Sequence, residues 1–91
     1  IYSKHLESRL SLRRMNYDLP KRIFKESSER YIDEETGYFV AIMTVEVYNK
    51  PRDVMIAYTV EEDFARLLTI HPLKEGQKEN RVKSGRWRKI Q

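Results

Sequence analysis

The stretch Tyr38–Tyr48, reading YFVAIMTVEVY, constrains the fold more than any other part of the chain. It is rich in Val, Ile, Phe and Tyr, which suit a pleated, half-buried surface, and it contains neither Gly nor Pro. With a period of two, Tyr38, Val40, Ile42, Thr44 and Glu46 share one face. Phe39, Ala41, Met43, Val45 and Val47 share the other, which is apolar throughout and is the face expected to be buried. The longest apolar run, Tyr38–Met43, has six residues. A membrane span needs ~18.

Shorter strands flank this one. Arg30–Asp33 precedes it across the turn Glu34-Glu35-Thr36-Gly37, where Gly37 is free to take a positive φ. Asn49–Arg52 reads as the next turn and Asp53–Val60 as the next strand. Glu61-Glu62-Asp63 is an acidic turn, and Phe64–His71 is a strand that Pro72 ends. Connections this short join antiparallel neighbours, because parallel strands need long crossovers.

The N-terminal third has helical spacing instead. Residues 3–15 place Leu6 and Leu10 on one face, with Ser3 as the expected N-cap. His5, Arg9 and Arg13, each four residues apart, form a cationic stripe beside that face. A second helix, Leu19–Ser28, opens with Asp18 as the expected N-cap and Pro20 in its first turn. Leu19, Ile23 and Phe24 give it a buried face. Residues 77–83 can form a helical turn. The expected fold is α+β: two N-terminal helices packed on one face of a three- to four-stranded antiparallel sheet, with a basic C-terminal segment.

At 91 residues the chain suits one domain, 1–91, with a thin core. Its net charge of +4 is unevenly spread: +4 over residues 1–30, −5 over 31–73 and +5 over 74–91. The tail cations Lys74, Lys78, Arg81, Lys83, Arg86, Arg88 and Lys89 surround Trp87. Cations interleaved with an aromatic suit a phosphate backbone with stackable bases. The tail also reads as a solvated terminus, and Trp87 as a plug closing the core. With no cysteine, disulfides, zinc–thiolate sites and thiol nucleophiles are excluded. No phosphate-cradling glycine loop or metalloprotease helix is present, and no carboxylate spacing identifies a metal site. No cofactor is expected. The N-terminal residues do not resemble a signal peptide, so the default location is the cytoplasm.

RNA cleavage without a metal fits the residues that are present. RNA supplies its own nucleophile, the 2′-hydroxyl, and the protein supplies proton-transfer groups and cations. His5 and His71 are the acid/base candidates. Arg9 and Arg86 are candidates for the scissile phosphate, and Arg13 and the tail residues for the RNA backbone. Each has a plainer reading as well: surface or structural histidines, and Arg9 paired with Asp18 or Glu26. Tyr38, Tyr48 and Tyr58 read as ordinary strand aromatics.

The order of features resembles a known group. A helix opens with His5-x-x-x-Arg9 and runs into Arg13-Arg14-Met15. Asp18-Leu19-Pro20, Tyr31-Ile32-Asp33, Thr36-Gly37, Thr69-Ile70-His71-Pro72 and Arg86-Trp87 follow. Over about residues 3–90 this resembles the small RelE/ParE/BrnT-like toxins, in particular the branch that opens with a His-x-x-x-Arg helix. That superfamily is grouped with barnase, EndoU and the tRNase colicins as one RNase-bearing fold. The resemblance implies two helices on a curved antiparallel sheet, a metal-independent endoribonuclease that acts on mRNA, often on the ribosome, and an antitoxin partner. His5 and Arg9 match the opening helix. His71 and Arg86 fall where such toxins often place active groups. The chain lacks the Lys/Arg/Tyr set found on the sheet of the best-known mRNA-cleaving members, which leaves ribosome dependence open. ParE-like members that poison gyrase share the fold, so activity does not follow from it.

Two other functions fit the same charge: a non-catalytic nucleic-acid or protein-binding module, and an adaptor that forms a homodimer through an open sheet edge. No membrane partner is expected. The nuclease expectation requires the basic residues of both chain ends to converge on one concave surface beside the sheet.

Overall fold

A computed structural model describes residues 1–90; the last residue of the expected domain, 91, lies outside them. The described residues form α1 (Lys4–Arg13), α2 (Leu19–Glu26), β1 (Glu29–Asp33), β2 (Phe39–Val47), β3 (Lys50–Val60), β4 (Ala65–Pro72), α3 (Gln77–Lys83) and β5 (Trp87–Lys89). The α+β class holds, with one more helix and one more strand than the upper expectation. The five strands make one antiparallel sheet in the order β4-β3-β2-β1-β5.

Ser3 caps α1 as expected, its Oγ accepting from the Leu6 N–H at 3.0 Å. The same hydroxyl donates to the Leu68 carbonyl at 2.9 Å, tying the helix start to β4. Ser3→Ala removes both bonds and is expected to cost about 1 kcal/mol in chemical denaturation. Asp18 does not cap α2. Its side chain makes no cap bond and its backbone is already helical, at φ −83° and ψ −7°. Asn16 Oδ1 instead accepts from the Asp18 N–H at 2.8 Å, stabilising the bend before the helix.

The β2–β3 connection is tighter than the sequence suggests. Val47 pairs with Lys50 and Glu46 with Pro51, so the turn consists of Tyr48 and Asn49 alone. Both have positive φ, 53° and 65°, the pattern of a two-residue hairpin whose twist matches its strands.

Both sheet faces are buried, where one was expected. On the first face, Leu6 and Leu10 of α1 and Ile23 of α2 pack against Ala41, Val45, Ile56 and Ile70. On the second, Tyr31, Val40, Ile42, Met55 and Ala57 form a separate core closed by Leu73 and Trp87. Strands covered on both sides read as continuous apolar runs, which Tyr38–Met43 is. The last turn-like segment is a helix, α3, whose Lys78 reaches Glu29 on β1 at 3.1 Å.

Candidate functional site

His71 lies near the end of β4, an edge strand, opposite Met55, which in turn stands opposite Ile42. It therefore belongs to the second face, at its open margin. α1 packs on the first face through Leu6 and Leu10. Its cationic stripe lies toward the β4 edge, where Arg13 Nη1 donates to the Ile70 carbonyl at 2.9 Å. One turn back, Arg9 Nε donates to His5 Nε2 at 3.4 Å rather than pairing with Asp18 or Glu26.

A hollow of about 350 Å³ opens where these elements meet. Arg13, Tyr48, Arg52, His71, Lys74 and Gln77 line it, and no carboxylate does among the described residues. Arg52 is held by a bond from Nη2 to the Leu73 carbonyl at 3.4 Å. Gln77 Oε1 accepts from the Lys74 N–H at 2.9 Å, fixing the loop that carries Lys74. Tyr48 donates its hydroxyl to the Arg13 carbonyl at 2.7 Å. Asp53, Glu75 and Glu79 line a neighbouring hollow that shares Arg52 and Lys74.

Burial, and then the positive charge of Arg13, Arg81 and Arg9, hold the His71 imidazole below its ordinary pKa of 6.5. At pH 7 the ring is therefore mainly neutral and can accept a proton. Arg9, Arg13, Arg52, Lys74 and Arg81 have no ion-pair partner among the described residues. A concave surface with unneutralised cations attracts anions, and arginine can engage phosphate through two N–H groups.

The expected two-ended convergence is half met. Arg81 lies over the Trp87 ring, 5.7 Å from its centroid, and acts on His71 through its charge alone. Lys74, from the start of the basic tail, lines the hollow with Arg13 of α1. The rest of the tail does not. β5 and β4 are opposite edges of the sheet, four strand spacings or about 19 Å apart. Arg86 is bound to Asp33 through Nε and Nη2, both at 3.2 Å, and to Glu35 at 3.5 Å. Trp87 is 3% exposed, its ring belongs to the second core and its indole N–H donates to Asp33 Oδ2 at 3.3 Å. That ring is a core plug, unavailable to a base. Lys78 pairs with Glu29, and Arg88 with Glu34 at 2.7 Å. Lys89 lies 5.8 Å from the Tyr31 ring, and Lys83 is an exposed residue of α3.

His5 stands two turns from Arg13, about 12 Å along the helix axis; it bonds Arg9, and neither of the two lines the hollow, so the expected pairing of His5 with His71 is not formed. Arg52, Tyr48 and Gln77 were not singled out as site residues by sequence reasoning. Arg52 was hidden inside an expected turn, and only the register of β3 reveals that it borders the hollow. No group of three or more His, Asp or Glu among the described residues is gathered as metal ligands would be. No helix among them is long and apolar enough to cross a membrane.

Comparison of the chain with protein-family models, curated proteins and solved structures gives no match.

Proposed function

We propose that this protein is a toxin-like, metal-independent endoribonuclease, with an antitoxin as its protein partner. One observation carries the proposal: a half-buried His71, its pKa held below the ordinary value by burial and nearby arginines, faces a hollow lined by cations and, among the described residues, free of carboxylates. The resemblance of the His5-x-x-x-Arg9 helix supports the toxin assignment. An RNA phosphate in the hollow meets Arg13, Arg52 and Lys74, with Arg9 and Arg81 adding charge nearby. His71 takes the proton of the 2′-hydroxyl, which attacks the adjacent phosphorus. The arginines stabilise the charge of the phosphorane, and water protonates the departing 5′-oxygen. The single imidazole in the hollow also favours a second reading, an RNA-binding module without catalysis.

One assay separates the two. Purified protein is incubated with single-stranded RNA in excess chelator. Cleavage with 2′,3′-cyclic phosphate ends is expected; bound but intact RNA supports the module, and unbound RNA removes both. The pH dependence has a definite sign. His71 acts as a base in its neutral form, and its pKa is below 6.5. At RNA concentrations well below saturation the profile reports the free protein, so cleavage efficiency levels off at neutral pH and falls as pH drops through the lowered value. A profile that rises with acidity contradicts the assigned role.

A further inference from the structure

Tyr48 occupies a backbone position that a tyrosine rarely takes. Its φ is 53°, in the left-handed region, and the first central position of such a hairpin turn favours Asn, Asp or Gly. A strained bulky residue needs a compensating reason, and the structure supplies one in the placement of the ring. Tyr48 is 54% exposed and lines the hollow beside Arg13, Arg52 and His71. Its hydroxyl is tied to the Arg13 carbonyl at 2.7 Å, which fixes the ring's direction. Tyr2, Tyr17, Tyr31 and Tyr58 each pair with another aromatic ring. Tyr48 and Tyr38 have neither an aromatic nor a cation–π partner among the described residues, and of these two only Tyr48 lines the hollow.

We propose that Tyr48 is a base-stacking platform, which makes the ligand of the hollow an unpaired nucleotide of single-stranded RNA rather than a duplex or a bare polyanion. This rests on the RNA reading of the same hollow. The cations hold the phosphate, and the base next to it leaves its neighbours and lies on the tyrosine ring. A duplex keeps its bases stacked inside the helix and cannot present one to the ring. The hydroxyl bond acts as a brace: it holds the ring in place before the ligand arrives, which reduces the ordering cost on binding.

The test measures binding of a short oligouridylate and of an abasic ribose-phosphate oligomer of equal length, both 2′-O-methylated so that neither can be cleaved, at one fixed salt concentration. Tyr48→Asn suits the left-handed turn at least as well as tyrosine, so the fold is retained, and denaturation checks this. The expected result is a roughly tenfold or greater loss of oligouridylate affinity in Tyr48→Asn, with abasic binding unchanged. Tyr48→Phe keeps the ring and should stay within about threefold of wild type. If folded Tyr48→Asn binds oligouridylate as wild type does, the platform is overturned and the phosphate site stands. If Tyr48→Phe loses as much as Tyr48→Asn, the hydroxyl brace rather than the ring matters, and the platform is again overturned. If wild type binds neither oligomer, the RNA reading itself fails.

Discussion

His71→Gln is expected to slow RNA cleavage by on the order of a hundredfold or more, the usual contribution of a positioned proton-transfer group. Glutamine keeps a polar side chain of similar reach but cannot take up a proton. The arginines and Lys74 remain, so the loss should fall on the rate constant while RNA affinity stays within a few-fold. His71 lies at the margin of the second core, half-buried, so the unfolding midpoint should move little. A variant that cleaves at the wild-type rate removes His71 as the base. Equal losses of binding and rate would make it a binding residue instead.

Asp33→Ala is expected to cost about 2–3 kcal/mol, the effect of removing a buried carboxylate that accepts several hydrogen bonds. Asp33 is 6% exposed. Its carboxylate accepts from Arg86 twice, from the Trp87 indole, and from the Glu35 and Thr36 backbone at 2.9 and 3.3 Å. The substitution takes a shared acceptor from five N–H groups, of which Arg86 Nε keeps Glu35 at 3.5 Å, and loosens the packing of β5 on β1 while their backbone pairing remains. A small domain has only about 5–15 kcal/mol in total, so urea denaturation should show a large fall in midpoint. Burial pushes the carboxyl pKa up, but the Arg86 hydrogen bonds, the backbone N–H groups and the Arg86 charge outweigh it and hold it below 3.8. The folded form thus prefers the carboxylate. The stabilisation is complete above the unfolded-state value and is lost as pH falls through the lower folded-state value. A cost under about 1 kcal/mol would show that the cluster is incidental.

The same cluster explains why charge pattern alone misassigned the tail. In sequence, Arg86, Trp87 and Arg88 look like an RNA-binding segment. Their acidic partners are Asp33, Glu34 and Glu35, more than fifty residues earlier, and only the β1–β5 pairing brings the two segments together. By contrast, the α1 stripe was legible because helical periodicity alone aligns His5, Arg9 and Arg13. The two N-terminal helices and β2 are legible from their own periods, 3.6 and two, whereas the start of β3 is hidden in the expected turn. The second core was partly legible: six consecutive apolar residues cannot all face one side of a strand. What covers them, Leu73 and Trp87, is distant in sequence. In sequence Tyr48 reads as a strand aromatic, because the turn residues Asn49–Arg52 begin one position later than the turn the chain forms. The αL conformation that distinguishes it depends on the register of β2 with β3.

The meeting of RNA phosphate with His71 can be observed directly. The chain has only two histidines, so their ring protons can be followed individually by NMR as single-stranded RNA, 2′-O-methylated to prevent cleavage, is added. A bound phosphate places negative charge beside the imidazole and favours its protonated form, so the His71 pKa should rise from its depressed value toward or above 6.5 as RNA saturates. If its ring signals and its titration stay unchanged at saturating RNA, with shifts confined to Arg88, Lys89 and their neighbours, RNA binds the opposite edge of the sheet and the assignment of the hollow is wrong.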